Sequence, residues 1–113
     1  MQLFNETRME IRFEKRYLEE LYLTGKTSDK KHRFQPDIVK RYKLRIEAIE
    51  AASCVEDLRK INSFRYKELE GDKKGISSIR VNDKYRIELK VTEVVSETVV
   101  TICNILELSN HYK

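Results

Sequence analysis

Between Lys84 and Val91 polar and apolar positions alternate without a break: Tyr85, Ile87, Leu89 and Val91 fall on one side, Lys84, Arg86, Glu88 and Lys90 on the other. Alternation of period two over this length predicts a strand with one buried face. Just upstream, Ser77, Ile79 and Val81 alternate with Ile76, Ser78 and Arg80, and Asn82-Asp83 supplies turn residues between the two runs. The two runs read as a hairpin around which the rest of the chain is expected to pack. Successive strand side chains point to opposite sides of a sheet, so Arg80 and Arg86 are expected on one face, with Ile79, Val81 and Ile87 on the other.

Met9, Ile11 and Phe13 alternate in a short first strand. From Glu14 to Thr24 the apolar residues Tyr17, Leu18, Leu21 and Tyr22 recur at helical spacing, and Gly25 follows as a helix stop. Residues 25–35, GKTSDKKHRFQ, have no periodicity and several cations, and read as a solvated basic connection rather than a binding loop. Pro36 and Asp37 suit the first turn of a second helix, whose apolar stripe of Val39, Tyr42, Ile46 and Ile49 runs through to Ala52. Ser53 and Glu56 have the spacing of a capping box and open a short third helix near Cys54, ahead of Val55, Leu58 and Ile61. FRYKELEG, residues 64–71, reads as an edge strand. After a turn from Glu93 to Glu97, TVVTICNIL is apolar on both faces and predicts a central strand buried from two sides. The fold class is therefore α+β: a small twisted, mainly antiparallel sheet with two or three helices packed on one face. The expected core is Ile11, Phe13, Leu18, Leu21, Tyr42, Ile46 and Ile49, with Leu58, Ile79, Val81, Ile87, Leu89, Ile102 and Ile105.

Composition narrows the picture modestly. A chain of 113 residues, 40% hydrophobic with three Gly and one Pro, is long enough for one domain with a small core, so residues 1–113 are taken as a single domain. No apolar run approaches the roughly 20 residues of a membrane helix, and the start lacks a basic region followed by an apolar one, so a cytoplasmic protein with no membrane partner is expected. Cys54 and Cys103 have neither zinc-site spacing nor the density of a disulfide scaffold, and read as buried reduced thiols. A net charge of +4 permits a polyanionic partner without requiring one.

Two guanidinium groups on one face suit phosphate, because the planar fork makes two parallel charge-assisted hydrogen bonds. The competing reading pairs them with Glu88 and other surface carboxylates. Asn110, His111 and Tyr112 follow the last strand closely. His111 can move a proton near neutral pH, Tyr112 can stack or donate its hydroxyl, and Asn110 can orient either. Neither a carboxylate cluster, a His/Cys set with ligand spacing, a Gly-rich phosphate loop nor a Ser/His/Asp arrangement is present, so metal or other cofactor chemistry is not expected.

The stretch FRYKELEGDKKGISSIRVNDKYRIELKV, residues 64–91, resembles the HigB branch of the RelE/ParE toxins. The resemblance covers roughly residues 36 to 112. Leu69, Gly71, Gly75, Ser78 and Arg80, with Tyr85, Arg86 and Ile87, carry it as a spaced set. It implies a small RelE-like toxin domain that cleaves mRNA on the translating ribosome without a metal, and that a cognate HigA-like antitoxin silences. Carried over one by one, Arg86 falls on the hairpin arginine at the scissile phosphate, and Arg80 where relatives often have a basic residue. Lys67 stands where HigB toxins have a histidine, which leaves the general base open. Relatives commonly end in an acidic residue, tyrosine and histidine, whereas Asn110, His111 and Tyr112 present the imidazole and the phenol in reverse order. Lys73, Lys74, Ser78 and Asn110 are the candidate RNA contacts. Two alternatives stay open: a ParE-like toxin that binds a protein target such as DNA gyrase, and a non-catalytic RNA-binding regulator.

Overall fold

A computed structural model describes residues 7–95 and 99–110, with side chains from Met9 onward. In chain order the elements are β1 (Thr7–Phe13), α1 (Arg16–Thr24), α2 (Pro36–Ala51), α3 (Val55–Arg59), β2 (Lys67–Glu68), β3 (Ser77–Arg80), β4 (Arg86–Val95) and β5 (Val99–Ser109). Short 3-10 turns occupy Lys30–His32, Asn62–Phe64 and Gly71–Lys73. The five strands form one sheet in the order β1-β5-β4-β3-β2, with β1 parallel to β5 and every other pair antiparallel.

Local chemistry accounts for most element boundaries. Gly25 caps α1 at φ +78°, its N–H donating to the Leu21 carbonyl at 3.0 Å, a conformation that glycine adopts without steric cost. Pro36 opens α2, where its missing N–H would have no helical partner, and Asp37 one residue later receives Arg41 Nε at 3.2 Å. At the hairpin, the Asn82 side-chain oxygen accepts from the N–H groups of Lys84 and Tyr85 at 2.9 and 2.8 Å, closing the turn from its own side chain.

The helices bury Leu18, Leu21, Tyr42, Ile46, Ile49 and Leu58 against Ile79, Val81, Ile87, Leu89, Cys103 and Ile105 of the sheet. Tyr42 is fully buried, and its hydroxyl donates to the Leu18 carbonyl at 2.7 Å, tying α2 to α1. Burial pushes the Cys103 thiol up to about 11, the state of an inert core thiol, whereas Cys54 is only partly buried.

Several expectations change. The edge strand shrinks to Lys67–Glu68, because Phe64 belongs to a 3-10 turn and Arg65 sits at φ +45°, which breaks any ladder upstream of Tyr66. The capping partner at α3 is Asp57, whose carboxylate accepts from the Ser53 N–H at 3.0 Å in place of Glu56. Strand β4 runs on through Val95, so Glu93 lies in the strand and not in a turn. Finally, β5 is central by pairing but buried on one side only. Thr101, Cys103 and Ile105 are buried, while Val100, Ile102 and Asn104 are half-exposed, and Ile11 and Phe13 are likewise half-buried at the edge strand.

Candidate functional site

Strand register assembles the hairpin chemistry into two adjacent rows on the face opposite the core. Lys67 on β2 lies opposite Ser78 on β3, Ser78 opposite Glu88 on β4, and Glu88 opposite Glu107 on β5. In the next row Arg80 lies opposite Arg86, and Arg86 opposite Ser109. Directly opposed residues share a face, so a row of two arginines and a serine runs beside a row that carries two carboxylates.

Arg86 is held from behind. Its Nε donates to Ser78 Oγ at 2.8 Å, and its Nη2 donates to the Arg65 carbonyl at 2.6 Å and more weakly to the Ser78 carbonyl at 3.4 Å. Arg65 reaches this position through the left-handed backbone conformation already noted, which is uncommon for a side chain of its size. Arg80 pairs with Asp83 across the turn, and its carbonyl accepts from Arg45 Nε at 2.9 Å, which fixes β3 to α2. Glu88 pairs with Lys73, at 2.5 Å. The expected alternative of arginines paired with carboxylates therefore holds for Arg80, through Asp83.

Like charges directly opposite one another destabilise a sheet, and Glu88 and Glu107 would do so without partners. Lys73 answers Glu88, and Glu107 receives both Lys15 Nζ and the Tyr17 hydroxyl. The Leu108 N–H in turn donates to the Tyr17 oxygen at 3.2 Å. Burial, with the Glu107 hydrogen bond behind it, pushes the Tyr17 hydroxyl well above its ordinary range. For Glu107, burial pushes upward, but the hydrogen bonds from Lys15 and Tyr17 outweigh it and hold the carboxyl below its usual value.

The basic connection turns out to be part of this neighbourhood. The His32 ring stacks on Tyr17 with centroids 3.7 Å apart, its Nδ1 lies 2.8 Å from Asp29 Oδ2, and its Nε2 lies 3.9 Å from Glu107 Oε1. The hydrogen bond with His32 lowers the Asp29 carboxyl below its ordinary range. Nearby, Phe34 meets Tyr85 edge to face at 5.6 Å. His32, Phe34, Lys73, Tyr85, Glu88 and Asn110 are among the residues that line one concavity of about 410 Å³. Sequence reasoning passed over His32, Asp29, Tyr17 and Glu107. The Asp29/His32 spacing of three residues was the one available signal, because it lets a short turn close on itself.

The expected site residues thus divide. Lys67, Ser78, Arg80 and Arg86 share one face, and Lys73 and Asn110 meet in the adjoining concavity. Ser78 is fully buried with its hydroxyl committed to Arg86, so it supports that arginine instead of facing solvent. Lys74 lines a separate groove beside β2, with Glu56, Arg59 and Tyr66. His111 and Tyr112 lie outside the described residues. Among the described residues no group of three His, Cys, Asp or Glu side chains is placed to hold a metal ion, and no helix is long and apolar enough to cross a membrane.

Comparison with known proteins bears on this site. Residues 11–102 match the HigB-like toxin family, described as the RelE-like toxin of the type II toxin-antitoxin system HigB. Toxin HigB-1 of Vibrio cholerae serotype O1 is 38% identical over 80 residues, covering 70% of this chain and 80% of that protein. Among solved structures, the YoeB/ParE toxin from Agrobacterium tumefaciens superposes with a TM-score of 0.56 at 15% identity, covering 92% of this chain and all of that one, 100%. A chain of a YoeB-YefM complex from Staphylococcus aureus gives 0.51 at 18% identity, over 93% of this chain and 99% of that one. At these identities the structural matches establish the fold.

Proposed function

Since the chain belongs to the HigB-like toxin family of type II toxin-antitoxin systems, we propose that it is a ribosome-dependent mRNA endoribonuclease whose reaction needs no metal, held inactive by a cognate HigA-like antitoxin. The observation that carries the reading is the fixed guanidinium of Arg86, in one row with Arg80 and with Ser109 at the end of β5. An RNA 2′-hydroxyl attacks the adjacent phosphorus as a base takes its proton, charge gathers on the non-bridging oxygens, and the bond to the 5′-oxygen breaks, leaving a 2′,3′-cyclic phosphate and a 5′-hydroxyl that takes up a proton from an acid. In this scheme Arg86, backed by Arg80, meets that charge. A guanidinium already positioned by Ser78 and Arg65 needs little reorganisation as the transition state forms. His111, one residue beyond Asn110, transfers the proton. Tyr112 stacks on a base or donates its hydroxyl, and Lys67 adds positive charge at the flank.

The test is growth arrest on induction, followed by mapping of cuts in translated mRNA with the host translation machinery intact. Arg86→Ala should lower the cleavage rate roughly 10²- to 10³-fold, as loss of an oxyanion donor does. His111→Ala should cost roughly 10²- to 10⁴-fold. Tyr112→Phe separates the two roles of that residue, because a near-parent rate assigns it to positioning. If folded Arg86→Ala and His111→Ala proteins both stay as toxic as the parent, the nuclease reading fails and binding to a protein target becomes the better account.

A further inference from the structure

Past Ile105 the end of β5 runs on without its parallel neighbour. The register of β1 stops with Phe13 opposite Ile105, and the Glu14 N–H then donates to the Ile105 carbonyl at 2.9 Å. On its other side β5 stays paired with β4 as far as Ser109, which lies opposite Arg86. Among the described residues a side chain takes the open edge. Tyr17, buried in the first turn of α1, accepts from the Leu108 N–H at 3.2 Å and donates to Glu107. Its oxygen does for Leu108 what the carbonyl of a neighbouring strand would do. Burial and the Glu107 bond hold the phenol in its protonated form, so it gives one hydrogen bond and takes the other. Behind it stands His32. The imidazole covers the Tyr17 ring face to face, with centroids 3.7 Å apart and planes 11° from parallel, and Asp29 holds its Nδ1 at 2.8 Å. Asp29 is itself tied down: its carboxylate accepts from the Lys31 N–H at 2.9 Å, and its own N–H donates to Thr27 Oγ1 at 3.1 Å. The Thr27 hydroxyl in turn donates to Glu20 of α1 at 2.7 Å. The connection between α1 and α2 is thus folded back on α1 and braces Tyr17 against β5.

We propose that Tyr17 and His32 are positioning residues of the cleavage reaction: Tyr17, clamped by His32, fixes the end of β5 and so sets where Asn110 and the residues after it stand relative to Arg86. The proposal rests on the nuclease reading above, and adds to it residues that act through β5 without touching RNA. Ser109 and Leu108 are gripped from one side by β4 and from the other by the phenol. Without that oxygen the buried Leu108 N–H is left unpaired, and the strand end is held from one side only. The imidazole is placed to brace and not to carry a proton. One face lies on Tyr17, Nδ1 is committed to Asp29, and Nε2 is turned to Glu107 at 3.9 Å. Placement of this kind bears directly on rate, because a displacement of about 1 Å among reacting groups costs about 10²-fold.

The experiment measures single-turnover cleavage of a translated mRNA by the full chain over a range of ribosome concentrations, which separates the rate at saturation from the half-saturating concentration. Tyr17→Phe keeps the ring and its stack on His32 and removes only the oxygen. His32→Phe keeps a ring on Tyr17, whereas His32→Ala removes the stack and the Asp29 bond together. Circular dichroism melts set a temperature at which each variant is fully folded. There Tyr17→Phe and His32→Ala should cleave about tenfold to 10²-fold more slowly at saturation. Their half-saturating concentrations should stay within about twofold of the parent's. His32→Phe should keep most of the parent rate, and adding His32→Ala to Tyr17→Phe should cost little more, since both act on one strand end. Parent-like rates in Tyr17→Phe and His32→Ala overturn the proposal. A raised half-saturating concentration at an unchanged saturated rate also overturns it, and makes these residues ribosome contacts. So does a loss in His32→Phe as large as in His32→Ala, which would make the imidazole itself the active group. If Tyr17→Phe does not fold, the two His32 variants decide by the same readings. Failure of the nuclease reading would show separately, as absence of mRNA cuts with the parent itself.

Discussion

Among the contacts that fix Arg86 are two of different kinds: a buried hydroxyl, from Ser78, and a backbone carbonyl presented by Arg65 at φ +45°. Ser78→Ala leaves the Nε donor without its acceptor, and hydrogen bonds to charged groups contribute about 1.5–3 kcal/mol. A urea titration should show a stability loss in that range, and mRNA cleavage should fall less than in Arg86→Ala, since the guanidinium keeps its Arg65 contact. A mutant as stable as the parent would mean that Ser78 does not anchor Arg86. Glu107 gives a residue-scale prediction in pH. Its folded carboxyl is held below the ordinary value of 4.5, so it contributes stability above that pH and loses it as pH falls through the folded value. Asp29 is shifted in the same direction by His32. Thermal melts of the parent should therefore decline on acidification below 4.5, and Glu107→Gln should melt lower at neutral pH with a flatter acid limb. Parallel curves for the two proteins would refute the assignment.

At the scale of the element, β5 is the informative strand. It carries apolar residues on both sides, yet Ile105 is fully buried while Ile102 is half-exposed. Truncation of a fully buried isoleucine to alanine costs about 2–5 kcal/mol. Ile105→Ala should fall in that range by chemical denaturation, and Ile102→Ala should cost distinctly less. Equal losses would show that the second face is covered in solution. The register shift between Glu88 and Leu89, where β4 meets β5, belongs to the same element. It takes up the extra residue Leu106, so that Leu108 faces the core beside Ile105 while Glu107 stays in the row with Glu88.

For the whole molecule, the parallel pairing of β1 with β5 joins Thr7 to Val99 and so closes nearly the entire chain into one sheet. The residues of α1, α2 and α3 share a single buried cluster with β3, β4 and β5. A core contributed by every layer implies one cooperative transition. Urea unfolding followed by far-ultraviolet circular dichroism and by the near-ultraviolet signal of the six tyrosines should give superimposable curves. Loss of the near-ultraviolet signal first would show that the helical layer separates from the sheet before the strands part.

The sequence by itself determined the hairpin, its buried and polar faces, the helix limits at Gly25 and Pro36, and the resemblance carried by residues 64–91, because period-two alternation, turn side chains and capping are properties of neighbouring residues. It also placed Arg80 and Arg86 on one face, which follows from alternation alone. Tertiary structure decided what depends on separation in sequence. The parallel partner of β1, the one-sided burial of β5 and the row from Lys67 to Glu107 all depend on strand order and register. Chain closure likewise turned GKTSDKKHRFQ from a solvated connection into a wall of the site: His32 meets Tyr17 and Glu107 only because the end of β5 extends past β1 to the start of α1, bringing together residues about 75 to 90 positions apart that no local pattern relates.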